Sequence, residues 1–288
     1  MKIAGISDLH GYLPEDIPIC DVLCICGDII PLKVQRDLEK SKEWWLNDFC
    51  SWAARLPCSK VIFTAGNHDF FLEYLYKNNS GDYYTFIAEL ENRTNKKTIL
   101  LINELYKYED YTFYGFPYIR PIPFQEKRWA FTDDYQGKDK PSIYDKLENV
   151  KSDIIITHDN PFKNQLLTSK LKHKPKAWFF GHWHNGPEDR SLNFFNSSIL
   201  TDLYSLKENF ELPTMELDVK KDIIKEIFSI MINNIGVYTA LKGYDNFQVN
   251  AIKEYLQLNK DFFLRNNEDE TPLPVTGEAI IEDEKDED

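Results

Sequence analysis

The feature that most constrains this chain is a set of short apolar runs, each of which stops at a polar residue. The runs are residues 2–7 (KIAGIS), 22–27 (VLCICG), 60–65 (KVIFTA), 153–157 (DIIIT) and 177–181 (AWFFG). They are continuous rather than alternating and rich in Ile, Val and Phe, as strands buried on both faces are. Residues 111–118, 192–196 and 215–219 read as further strands. Residues 34–56 place Leu38, Trp45, Phe49, Trp52 and Leu56 near one helical face, and 142–150 form a shorter helical stretch. Strands alternating with helices imply an α/β fold with at least one largely buried sheet.

The polar residues that end the runs share one position. Asp8, Asp28, Asn67, His158 and His182 each follow the C-terminal end of an expected strand, the edge where open α/β sheets bind ligands. Five of the six histidines (His10, His68, His158, His182 and His184) fall at such ends, and only His173 lies elsewhere, in the basic loop 170–176. A lone histidine is usually structural. Five at one rim with carboxylates point to metal binding. In Asp8-Leu9-His10 and His182-Trp183-His184 the polar pair is spaced i and i+2, so both side chains point the same way from a strand end. Gly27, Gly66 and Gly181 precede Asp28, Asn67 and His182, where glycine permits a sharp corner and close backbone approach. Hard oxygens mixed with imidazoles suit Mn, Fe, Zn or Ni better than Ca. Taken singly, Asp28, Asn67 and Asp69 would be unremarkable turn or helix-capping residues.

Composition excludes several classes. The net charge is −13, but ten acidic residues and one lysine lie from 266 onward, which leaves about −4 for residues 1–265. That body offers no basic stripe for long nucleic acid. No apolar run approaches the roughly 20 residues of a membrane span, and the N-terminal strand is too short for a signal peptide, so a cytoplasmic location is expected. Cys24 and Cys26 alternate with Leu23 and Ile25 as small buried strand residues do, without the paired CxxC of a zinc or redox site. The expected organisation is a catalytic domain over 1–219, a helical extension over 220–265 and a disordered acidic tail over 266–288. In the extension, 220–234 and 246–263 read as amphipathic helices. Ile223, Ile224, Ile227, Ile230 and Met231 form a stripe that could pack on the body or on a second copy of the chain.

The ordered blocks DxH (Asp8, His10), GD (Gly27, Asp28), GNHD (Gly66 to Asp69), His158 and GHxH (Gly181 to His184) resemble the calcineurin-like metallophosphoesterases. GDIIPLK lacks the arginine of the GDxxDRG type, which disfavours the phosphoprotein phosphatase branch. YGFPY at 114–118 with RWAF at 128–131, and Asn196-Ser197-Ser198 after GHWHNG, are similar to the MPPED-like group of small phosphodiesterases. Phe116 departs from that group's usual small residue, and Asp159-Asn160-Pro161 from its Gly-Pro-Pro run. The resemblance implies a four-layer α/β/β/α sandwich and two divalent ions, manganese foremost. It gives Asp8, His10 and His184 to one ion, Asn67, His158 and His182 to the other, and Asp28 to both. It further implies attack on phosphorus by a hydroxide bridging the ions, with His68 as proton donor and Asp69 orienting it. Tyr118, Arg120, Trp129, Asn160 and Trp183 are candidate substrate contacts. The expected substrate is a small nucleotide-like phosphodiester or monoester. A nuclease on the same centre and a non-catalytic metal-binding scaffold are the alternatives, but the body lacks a basic groove and every motif residue is retained.

Overall fold

This computed structural model describes residues 1–78, 81–122, 128–133, 141–208 and 210–217, and Glu254 beyond them. The chain divides into two units, Met1–Val219 and Lys220–Asp288. The two helices expected in 220–265, the self-association assigned to them, and the acidic tail lie outside the described residues.

The strands of the first unit are β1 (Lys2–Ile6), β2 (Cys20–Cys26), β3 (Cys58–Thr64), β4 (Thr98–Leu100), β5 (Glu104–Tyr108), β6 (Tyr111–Phe116), β7 (Ile154–Thr157), β8 (Ala177–Phe180), β9 (Phe194–Asn196) and β10 (Thr214–Glu216). They form two five-stranded sheets, ordered β10-β1-β2-β3-β4 and β5-β6-β7-β8-β9. β1 to β4 run parallel, as do β6 to β9, while β10 and β5 add antiparallel edges. Parallel strands deliver all their C-terminal ends to one side. The polar residues that end the runs are therefore collected along one edge of each sheet.

Side-chain alternation explains why the runs are apolar throughout. Along β2, Val22, Cys24 and Cys26 join Ile3, Ile62, Phe113, Ile154, Ile156 and Phe179 in the layer between the sheets. Leu23 and Ile25 point the other way, into a cluster that holds Trp45, Phe49 and Trp52. Both faces are covered, so the architecture is an α/β sandwich with helices outside two central sheets, the four-layer arrangement that the resemblance implies. All five cysteines are free and buried.

The helices differ in detail from expectation. Residues 34–56 are not one helix. Asp37 caps α1 (Leu38–Trp44) by accepting from Lys40 N, a π-helical turn spans Trp45–Phe49, and α2 (Cys50–Arg55) completes the rod. Residues 142–150 form a 3₁₀ helix at Ile143–Asn149 rather than an α-helix, capped by Ser142. Helix α3 (Phe70–Asn78) starts at Phe70, just after Asp69, while α4 (Gly81–Arg93) and α5 (Gln165–Lys170), like β4 and β5, were not expected from the pattern. No described helix is long and apolar enough to cross a membrane.

Gly5 shows how tightly the sheets meet. A Cβ there would overlap Phe179 Cδ1 on the facing sheet and crowd Ser197 Oγ. Gly5→Ala should destabilise the fold by about 1–3 kcal/mol through overpacking, read as a fall in the denaturation midpoint. An unchanged midpoint would contradict the packing described.

Candidate metal centre

Each motif residue sits on a loop that leaves a parallel strand. Asp8 and His10 follow β1, Asp28 follows β2, Asn67 and His68 follow β3, His158 follows β7, and His182 and His184 follow β8. The ladder continues beyond the strands and laces these loops together, with Asp8 N donating to Gly27 O at 3.1 Å and His10 N to Asp28 O at 2.9 Å. Across the sandwich, Ser7 bridges Ser198, and the Ser198 hydroxyl donates to Asp8 Oδ2.

The backbone here is unusual. Asp8, His10, Asp28 and His182 all have positive φ, at 55°, 44°, 52° and 65°. Each such residue costs about 1–2 kcal/mol relative to the right-handed region. Four at one site are sustained only because the surrounding hydrogen bonds over-determine them. Gly27, at φ +94°, meets the need for left-handed backbone directly. Gly66 and Gly181 serve a different purpose, since a Cβ on either would run into the carboxylate of Asp28 or Asp8.

Asp28 is the convergence point. Its Oδ2 lies 3.2 Å from His158 Nε2, 3.7 Å from His68 Nε2 and 3.8 Å from His10 Nε2. Its Oδ1 accepts from His68 N at 2.7 Å. Three sets of side chains can each converge on one ion: Asp8, His10 and His184; Asp28, His158 and His182; and His10, Asp28 and His68. Asn67 Oδ1 meets His158 Nε2 at 2.9 Å. All seven residues expected to hold metal are thus gathered, four from the first sheet and three from the second.

The ring tautomers are set from behind. His158 Nδ1 donates to Cys26 O at 2.8 Å, and His184 Nδ1 to Thr201 O at 2.7 Å. Each ring therefore turns Nε2 toward the carboxylates, the usual arrangement of a ligating histidine. Both nitrogens of His10 are buried without a hydrogen-bond partner, a costly state for a polar group unless something else fills it. Divalent ions fit this donor set.

Electrostatics agree. Burial alone would lower the basicity of His158, but the Asp28 and Asp8 carboxylates and the bond to Cys26 raise its pKa to about 10. A metal ion there must displace a proton. Burial lowers His10 to about 4 against the pull of Asp28, so its lone pairs stay available. Burial opposes ionisation of Asp8 and Asp28, yet the neighbouring imidazoles hold both below the usual carboxylate range.

His68 is as close to Asp28 as His10 is, but its surroundings differ. Its Nδ1 donates to Gln35 Oε1 at 2.5 Å, and Trp129 packs on its ring with centroids 4.6 Å apart. Sequence reasoning gave the orienting role to Asp69. Asp69 instead accepts from Gly66 N at 2.7 Å, Ile30 N at 3.1 Å and Ile29 N at 3.2 Å, clasping the two loops that carry Asp28 and Asn67. Burial and the Asp28 charge push it up to about 7 even so.

The expected substrate contacts divide. Tyr118 lies in the core cluster, and Asn160 is fully buried, bonding Pro187 O and Phe162 N to hold its own loop. Both are buried, Tyr118 in the core and Asn160 within its own loop. Arg120 is exposed, and Trp183 is 48% exposed with its ring 5.8 Å from that of His182. Gln35 and Tyr204, whose ring stands 4.9 Å from His10, were missed. Neither belongs to a local motif that could have signalled it.

A sequence model described as calcineurin-like phosphoesterase matches residues 1–186. The chain belongs to that family. The match spans all seven gathered residues and His68. A search of curated proteins returned no significant match. One crystal structure is similar at 13% identity and a TM-score of 0.33, covering 65% of this chain and 74% of the other. Family membership makes the protein a hydrolase of phosphoester bonds that uses divalent metal.

Equilibrium dialysis with Mn²⁺ checks the arrangement. Asp28→Ala should weaken binding of every ion on the order of 100-fold or more, while His184→Ala should weaken one ion only. Full stoichiometry in Asp28→Ala would contradict a shared carboxylate.

Proposed function

We propose that this chain hydrolyses small phosphodiesters, with nucleotide-like esters its substrates and two divalent ions, manganese foremost, its cofactors. The observation that carries the reading is the position of Asp28 between two groups of ligands, its Oδ2 3.8 Å from His10 Nε2 on one side and 3.2 Å from His158 Nε2 on the other. When bound, two such ions supply Lewis-acid charge for phosphoryl oxygens and a water acidic enough to attack at neutral pH.

The chain's own residues supply the rest. Asp8, His10 and His184 hold one ion, Asn67, His158 and His182 the other, and Asp28 both. His68 carries the proton for the leaving oxygen. Gln35 takes its Nδ1–H, which leaves Nε2 as the atom that faces the reaction. Trp129 limits ring rotation, and Trp129 is itself flanked by the Arg36 guanidinium 5.2 Å from its ring. Glu73 anchors this segment by accepting from Phe131 N and Arg128 Nη2. Trp183 and Arg120 stay as rim contacts for substrate. The MPPED-like group is the branch this chain fits by its YGFPY and RWAF stretches. The cytoplasm is its proposed location, and self-association through 220–265 rests on the amphipathic pattern there.

The test compares two diesters on the Mn²⁺-loaded protein, one with p-nitrophenolate as leaving group and one with an alkoxide. For the alkoxide ester, His68→Ala should cost about 10²–10⁴-fold in kcat and Gln35→Ala about tenfold. For p-nitrophenolate, which needs no proton, both losses should be several times smaller. Equal losses on both esters would sink the proton-donor role. No turnover with any divalent metal would sink the reading itself.

A further inference from the structure

A cavity of about 680 Å³ opens beside the metal centre, and His10 forms part of its wall. Pro31, Trp44, Leu200 and Leu206 are among its apolar lining. Two tyrosines stand among its lining, Tyr12 at 45% and Tyr204 at 47% exposure. Lys33 and Asp48 are its charged members, one of each sign, so it has no net charge with which to select an ion. Its size is that of a small-molecule site, and its lining, mostly apolar with a few polar groups, is the usual kind.

Tyr204 is held there at some cost. Its φ is +57°, a conformation that disfavours a bulky side chain. Tyr204 N donates to Thr201 O and Thr201 N to Ser205 O, each at 2.8 Å, and Leu200 bridges Leu206 to close the turn. Lys207 Nζ fastens the turn's base to the carbonyls of His184 and Ser198, both at 2.6 Å. The turn sets the Tyr204 ring edge-on to His10 at 4.9 Å and to His184 at 5.5 Å. One side of the ring's surroundings is thus the metal ligands, and the other is the cavity.

We infer that this cavity receives one esterified arm of the substrate, and that the group it takes is a neutral, flat aromatic ring, packed against Tyr12 and Tyr204. His10 belongs both to the Asp8, His10 and His184 set and to the lining of the cavity, so a phosphoryl group at that set lies next to the cavity. Aromatic rings pack on tyrosine with a gain beyond their buried area. The ring could be a simple aryl group or the base of a nucleotide. The inference rests on the phosphoesterase reading for where phosphate sits, and binding can test it apart from turnover.

The experiment measures binding of methyl phosphate, phenyl phosphate and a nucleoside 5′-monophosphate to the full Mn²⁺-loaded chain by calorimetry. Phenyl phosphate should bind about three- to tenfold tighter than methyl phosphate. The nucleotide will match or exceed phenyl phosphate if a base is the natural ring, and fall below it if a simple aryl group is. Tyr204→Phe should keep the preference, while Tyr204→Ala and, separately, Tyr12→Ala should bring the ratio close to one. A merely structural Tyr204 would weaken all the esters alike and leave the ratio unchanged, which would overturn the inference, as would equal affinities in the wild type. If no diester is hydrolysed yet the ring preference holds, the phosphodiesterase reading fails, while the cavity stands as a ring-binding site beside the metal edge.

Discussion

A carboxylate buried among imidazoles is the constraint around which this protein is organised. Asp28 is almost inaccessible to solvent, and a charge so placed is tolerable only if it is paired and hydrogen-bonded. His158 from the facing sheet provides the pairing, and the backbone N–H of His68 provides the bond. The consequences spread outward. Glycine must stand at 66 to leave room for the carboxylate, the loops must take left-handed backbone, and Asp69 must clasp them. The same contact also joins the two sheets, because Asp28 follows β2 and His158 follows β7. Asp8 repeats the pattern with His182 N and His184. Metal ions at this edge would therefore tie the sandwich together as well as supply chemistry.

Much of this is legible in the amino-acid sequence. Parallel strands buried on both faces leave uninterrupted apolar runs, so β1, β2, β3, β7 and β8 could be read directly from the sequence. The gathering of these polar residues was legible for the same reason, since residues that follow parallel strands share an edge, while their roles as ligands were implied by the resemblance. What escaped was set by distant contacts. β4 and β5 are short edge strands with mixed exposure. The π turn at Trp45–Phe49 departs from the 3.6-residue period that marks an α-helix. Gln35 meets His68 across 33 residues and has no spacing rule to announce it. Tyr118 and Asn160 looked like ligand contacts because of their neighbours in sequence, yet the core and the loop had prior claims on them.

The functional account has two layers of unequal generality. The metal edge is shared with a family and gives the reaction class. Specificity must come from what this chain places around that edge: Trp129 on one side of His68, and the Tyr204 turn on the side of His10 and His184. These elements sit on loops held by a rigid scaffold, where binding residues tend to lie. Both are aromatic, and both touch rings of the metal-edge histidines. A substrate arm that reaches either is therefore sensed within one contact of the reacting centre.

We propose that Asp28 serves two ions at once. The most direct measurement is electron paramagnetic resonance of the protein loaded with two equivalents of Mn²⁺. Ions bridged through Asp28 should be magnetically coupled, giving a multiline dinuclear signal that disappears in Asp28→Ala. Two independent six-line signals in the wild-type protein would contradict the account.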